Sequence, residues 1–354
     1  MTSAAGSPRA AARRSIGEYR SVGISRDWIA YGGLLLAGGA LYTVCRVFPA
    51  NLPFVLPWEF SWPEFLATAL ALAWFFRGLR KLPRGEHPAM WRSLCFVVGM
   101  LADYAALQTH FDFYAQHMFF MHRWSQFVVH HLAPMLIALG ASGPVVFAGM
   151  PDFLKPVVAA RPVKAVMDAL QNKLVAPLLF VAMLYFWLLP GWHTRAMLDR
   201  NLYDLMNWSM AINGIMFWSL IVDPRPYPPA RLSTLWRALG ILIIELPQMV
   251  LGAVLSLSST DYYPVYSICG RVFEMTALND QHYGGLIIWL PGTMMSFAAM
   301  IVVLWVMRAN EEKEEARRGQ ADSPGEAPAA QAAKAPNSAN CENGRPGGGG
   351  LVVK

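Results

Sequence analysis

Eight apolar stretches alternate with polar connectors along the chain: Trp28–Phe48, Phe60–Leu79, Trp91–Leu107, Phe113–Gly140, Leu174–Trp192, Leu205–Val222, Leu239–Leu257 and Gly285–Met307. Most approach the roughly 20 residues that carry a helix across a hydrocarbon core; the second and third are short or interrupted. The pattern predicts an all-α fold, a polytopic membrane helix bundle of seven or eight transmembrane helices occupying residues 27–308. The first stretch is too long for a cleaved signal peptide and lacks a small-residue cleavage site, so it reads as a retained span. Residues 1–26, rich in Ala, Ser and Arg, predict a disordered cytoplasmic arm. The tail, 309–354, opens with the charged run "EEKEEARR", expected to extend the last helix. It then dissolves into Ala, Pro, Gly and Ser, which predicts disorder. Between the fourth and fifth stretches, Pro151–Lys173 is amphipathic and is expected to lie on the inner membrane surface. No internal repeat is evident, which weighs against an inverted-repeat transporter.

Composition agrees with this picture: 55% of residues are hydrophobic and 15% charged, too little charge for the surface of a soluble domain. The net charge of +6 is not a nucleic-acid signal, because the basic residues follow the membrane. Arg9, Arg13, Arg14, Arg20 and Arg26 precede the first span, and Arg77, Arg80, Lys81, Arg84 and Arg92 lie between the second and third. Lys155, Arg161, Lys164 and Lys173 follow the fourth, Arg225, Arg231 and Arg237 the sixth, and Arg308, Lys313, Arg317 and Arg318 the last. The alternate loops hold only Arg195, Arg200 and Arg271, plus Arg46 near a span end. The positive-inside rule then expects an even number of spans and both termini in the cytoplasm, with lipid as the first partner. Cys45, Cys95, Cys269 and Cys341 make no CxxC or zinc spacing. A Cys45–Cys269 disulfide near the outer face stays open, but isolated small core residues are the preferred reading.

The fourth stretch carries the unusual chemistry. "YAQHMFFMHRWSQFVVHHLAPMLIALG" places four histidines, an arginine and three methionines in an apolar run. On one continuous helix, Met118, Met121 and His122 share a face, and Gln126 and His130 extend that stripe. His117 and His131 point elsewhere. Thioether and imidazole donors within one turn suit a soft ion, above all Cu(I). Pro134 removes a backbone donor below them and is expected to kink the helix. Intramembrane histidines also serve simply to bond neighbouring helices, and Met to fill gaps. The clustering favours metal, since ionisable groups in the membrane are costly and tend to be functional. His130 and His131 lie roughly 12 Å further along at 1.5 Å per residue, so they form a second site or pack around Arg123. At the same outer level, Asp280, Gln281 and His282 stand at the mouth of the last span, Asn207 near the start of the sixth and Asp112 just above the fourth. Glu245, at mid-depth of the seventh, reads either as a protonated structural acid or as part of a polar path.

These residues resemble the CtaG family of membrane assembly factors for caa-type cytochrome c oxidase, over roughly Trp91 to Arg308. An Asp ten residues before the His of an H-M-x-x-H helix that ends in Pro and Gly corresponds to Asp112, His122, Pro134 and Gly140. "FWSLIVDPRP" at Phe217, "DYYPVY" at Asp261 and the D-Q-x-x-G-G-x-x-W-x-P-G block from Asp280 to Gly292 follow in family order, the last being the most specific. The chain departs from the pattern at Arg123 (Met in the family), at Gln126 (the second His) and at Asn207 (often His). The resemblance implies a factor that matures a haem–copper oxidase. Its partners would be oxidase subunits and periplasmic copper chaperones, and its cargo the copper of the buried centre. Weighed beside copper delivery are a copper transporter, for which His130 and His131 would be a lower station, and a non-metal chaperone that grips an oxidase subunit. A haem cytochrome is not expected, because bis-histidine haem needs facing helices and four histidines share one. His193 and His282, the outer-side alternatives, read as loop residues. No G-x-S-x-G, H-E-x-x-H or phosphate loop is present, so no enzyme is expected.

Overall fold

The computed structural model describes residues 8–48, 52–268 and 270–322, with side chains from residue 28 to residue 318 within those segments. Among the described residues every regular element is a helix, so the expected all-α bundle holds. Four helices are long and apolar enough to cross a membrane: Trp28–Val47, Met90–Gln108, Thr234–Leu257 and Ala277–Arg318. Two bent pairs, Phe119–Gly140 with Gly143–Gly149 (74°) and Arg161–Leu170 with Val175–Leu188 (75°), raise the number to six. That is fewer than the seven or eight expected. The second and sixth stretches do form helices, α2 (Trp62–Lys81) and α12 (Arg200–Ile221), but their polar residues keep them below that apolarity. For α12 the reason is position. It buries one face from Tyr203 to Ile221, so Asn207 and Asn213 face other helices rather than lipid.

The chain opens with α1 (Pro8–Val47), which reaches back into the arm expected to be disordered; Ala and Arg are strong helix formers. Residues 1–7 and 323–354 lie outside the described residues, as does Cys269 of the cysteine pair; Cys45 is a buried free thiol. From Trp28 onward α1 exposes most of its side chains and touches the bundle through α2, where the Tyr31 hydroxyl accepts the Trp74 indole N–H at 3.1 Å. After α3 (Met90–Gln108) the fourth stretch is not one helix. It divides into α4 (His110–His117), α5 (Phe119–Phe127), a π turn (Val128–Leu132) and α6 (Ala133–Gly140). The left-handed Ala141 then turns the chain into the short α7 (Gly143–Gly149), which packs on α2. The amphipathic segment forms α8 (Lys155–Val158) and α9 (Arg161–Leu170), neither of which buries a residue. Then come α10 (Val175–Leu188), α11 (Pro190–Leu198), α12, α13 (Thr234–Leu257) and α14 (Ala277–Asp322). The charged run after the last span is helical as expected.

The π turn has a local cause. Pro134 has no N–H for the His130 carbonyl, which instead accepts the indole N–H of Trp218 on α12 at 3.3 Å. One residue earlier, the Ala133 N–H reaches back five residues to Val128. Gly214 makes the contact feasible, since a Cβ there would come within 2.6 Å of the His130 carbonyl oxygen. Backbone irregularity thus sits where α12 meets the histidine-bearing segment.

Candidate functional site

The break at Met118 explains why His122 sits where it does. Met118 is extended (φ −137°), and the N–H groups of Phe119 and Phe120 open α5 without intrahelical acceptors. Asp280 of α14 supplies them. Its Oδ2 accepts the Phe119 N–H at 3.1 Å and its Oδ1 the Phe120 N–H at 2.9 Å. Arg271 donates to the same Oδ2 at 3.0 Å, so the fully buried carboxylate is a helix cap and an ion pair at once. Gly284, one turn along α14, leaves room for the Phe119 ring.

Beneath this cap lies an aromatic and imidazole chamber. His122 on α5 is fully buried and meets His193 of α11 edge to face, ring centroids 5.2 Å apart. The Tyr203 ring of α12 is 5.9 Å away. Neither ring nitrogen of His122 makes a hydrogen bond of full geometry, although the Ala115 backbone lies close enough to interact with the ring. His193 is the opposite case: its Nδ1–H donates to the Trp187 carbonyl at 3.1 Å, and its Nε2 accepts the Tyr266 hydroxyl at 2.9 Å. Burial, reinforced by the nearby Arg123 charge, pushes the His193 pKa down to about 3, so the ring is a neutral lone-pair donor at any ordinary pH. The segment after α13 closes the chamber, with Tyr263 stacked on Phe119 at 4.2 Å and its hydroxyl donating to the Leu188 carbonyl at 2.8 Å. Met118 is fully buried at the α4–α5 break, and Met206 and Met210 of α12 belong to the packed cluster around Phe119, Tyr203 and Tyr266.

A family model described as cytochrome c oxidase caa3 assembly factor (Caa3_CtaG) matches residues 73–310, two thirds of the chain. The chain belongs to that family. No curated protein and no solved structure matched it. For a caa3 oxidase assembly factor, the family blocks now acquire positions. Asp112 is buried on α4, accepting the Tyr203 hydroxyl at 2.6 Å and the Gln116 amide at 2.7 Å. Burial raises its pKa to about 6, and those two bonds and the distant Arg200 charge oppose the rise. Asp280 of the D-Q-x-x-G-G block caps the His122 helix, and the two tyrosines of "DYYPVY" that bury deepest, Tyr263 and Tyr266, form the cover. At two of the three positions departing from the pattern, Gln126 donates its amide to the Asn207 Oδ1 at 2.7 Å, so a neutral amide pair joins α5 to α12.

The expected site residues therefore separate. Met118, His122, Gln126 and Asn207 are buried along one inner face; Met121 is half-buried beside them. His117 belongs to the separate helix α4, where its ring bonds the Phe113 carbonyl at 2.8 Å and stacks on Phe113. Asp280 has both oxygens occupied by the cap and Arg271, which leaves it a structural anion in this geometry. His282 donates Nε2–H to the Ser258 carbonyl at 2.8 Å, and Gln281 ties Thr260 and Tyr262 to α14. Glu245 accepts hydroxyls from Thr293 and from Ser296, the latter at 2.5 Å. His130 and His131 form a deeper pair around Phe180, on which His130 stacks at 3.7 Å. Among the described residues no three His, Cys, Asp or Glu side chains converge in a way that would hold a metal. His193 was missed as a member: the Pro190 that starts α11 signals a helix in "PGWHTR", but not that this helix folds back onto α5.

Proposed function

We propose that this assembly factor binds Cu(I) at His122 and hands it to an oxidase subunit from the outer side of the membrane. The observation that carries the reading is His122 itself. A wholly buried imidazole with neither nitrogen in a well-formed hydrogen bond leaves lone-pair and N–H capacity that native interiors ordinarily satisfy. A soft cation between His122 and a neighbouring donor supplies the missing partner. His193 is the facing imidazole, already neutral, and would exchange its Tyr266 bond for the ion. Met118, one turn before His122 in sequence, and Met206 and Met210 of the cluster around Tyr203 are buried thioethers, and such donors favour Cu(I) over divalent ions. The basic connectors support a topology in which the His122 end of the bundle faces outward and both termini lie in the cytoplasm of a bacterial plasma membrane. Handover is ligand exchange, with no bond-making catalysis. Tyr263 and Tyr266 cover the site, so release to a partner requires that segment to lift.

The purified protein in lipid nanodiscs, titrated with Cu(I) against a chromophoric chelator, is expected to hold one equivalent, lost in His122→Ala and weakened in Met118→Leu. A strain lacking the protein should have low oxidase activity that excess copper partly restores. No stoichiometric copper, with both variants supporting normal oxidase activity, would overturn the proposal.

A further inference from the structure

Below Gln126 the π turn opens a cavity of about 20 Å³, room for one water. Arg123, Gln126, His130, His131 and Gln248 supply its polar lining, among apolar neighbours, and none of the lining residues is acidic. The four on the fourth stretch are all nine-tenths buried or more, and each leaves polar atoms unpartnered: Arg123 Nε and Nη2, Gln126 Oε1, His130 Nδ1 and His131 Nδ1. Their hydrogen-bonding sense is set by what lies behind them. His130 gives its Nε2–H to the Asn213 Oδ1 at 3.1 Å, so its Nδ1 carries a lone pair. His131 Nε2 accepts the Gln248 amide N–H at 3.2 Å, so its Nδ1 carries the proton. Gln126 has turned its amide N–H₂ to Asn207, which leaves its carbonyl for the cavity. The lining thus offers donors from Arg123 and His131 and acceptors on Gln126 and His130. Water, with two hydrogens and two lone pairs, matches that set; a bare anion meets two lone pairs, and a cation meets a guanidinium and an N–H.

We propose that this lining is an electrostatic stop: it holds one water and excludes Cu(I), so that copper goes no deeper than His122. The inference rests on the outer-site reading above. It decides between delivery from one face and passage through the protein, because among the described residues His130 and His131 are the further imidazoles on the way down. An ion about 4 Å from a guanidinium at an effective dielectric of 20 loses on the order of a thousandfold in affinity. Arg123 also acts on His122 and His193. At that level Asp112, bonded to Tyr203, is a buried acid, whereas none of the residues lining the lower cavity is acidic.

The test is Cu(I) stoichiometry of the full chain in nanodiscs for wild type and Arg123→Gln, each with and without His130→Ala. One equivalent in wild type and a second, His130-dependent, in Arg123→Gln supports the stop. One in both overturns the stop and leaves the outer site standing. None in wild type but one, His130-dependent, in Arg123→Gln overturns the outer site and keeps the stop; none in either overturns both. Should Arg123→Gln not fold, wild type alone decides: a bound ion lost in His130→Ala but kept in His122→Ala overturns the stop, and the reverse supports it.

Discussion

Removing the carboxylate of Asp280 should destabilise the protein and loosen His122 in the same stroke. Asp280→Ala takes away the acceptor of two N–H groups at the start of α5 and the partner of Arg271, whose side chain is only 12% exposed. Losing a helix cap costs about 1–2 kcal/mol. Leaving a buried charge unpaired costs about 3–5 kcal/mol. The two losses share one carboxylate and do not add fully, so about 3–5 kcal/mol is expected. Asp280→Asn keeps one oxygen for the cap but not the ion pair, and should fall between wild type and Asp280→Ala. The double variant Asp280→Ala/Arg271→Ala should be more stable than Asp280→Ala alone, because the stranded guanidinium is gone. His122 lies within the first turn that would fray, so Cu(I) affinity should drop in step with stability. The measurement is thermal or denaturant unfolding in nanodiscs for the four proteins, paired with Cu(I) competition. An Asp280→Ala protein within about 0.5 kcal/mol of wild type, the range of an ordinary surface change, would refute the capping argument.

Two further outcomes follow from the geometry. Gly214→Val would drive a side chain into the His130 carbonyl and the Pro134 ring, and should cost about 1–3 kcal/mol as an overpacked contact; unchanged unfolding would mean that α12 can retreat there. For His193, the folded pKa of about 3 lies below the ordinary 6.5, so its contribution is complete above about 6.5 and is lost as pH falls toward 3. Wild type should therefore lose stability with acidification more steeply than His193→Phe, by up to about 1.4 kcal/mol per pH unit in that window; parallel pH profiles would contradict the assignment.

The amino-acid pattern alone was enough for an all-α membrane bundle, because apolar length and the placement of Arg and Lys follow directly from the chain's partition between lipid and water. The family blocks likewise read off the chain. The expected face of Met118, Met121, His122, Gln126 and His130 assumed one continuous helix; with the helix broken at Met118 and widened at the π turn, Met121 is only half-buried and His131, expected to point elsewhere, is buried beside His130. What stayed hidden depends on contacts between distant segments. Asp280 looked like a ligand at a helix mouth and is the cap of a helix 160 residues earlier. His193 looked like a loop residue and faces His122, because α11 folds back against α5. His130 and His131 looked like a lower metal station. Only with Asn213 and Gln248 placed behind them does one ring present a lone pair and the other a proton, around a cavity that also holds an arginine. A side chain's type and face are local properties, whereas its protonation and its free valence belong to whatever the fold packs against it.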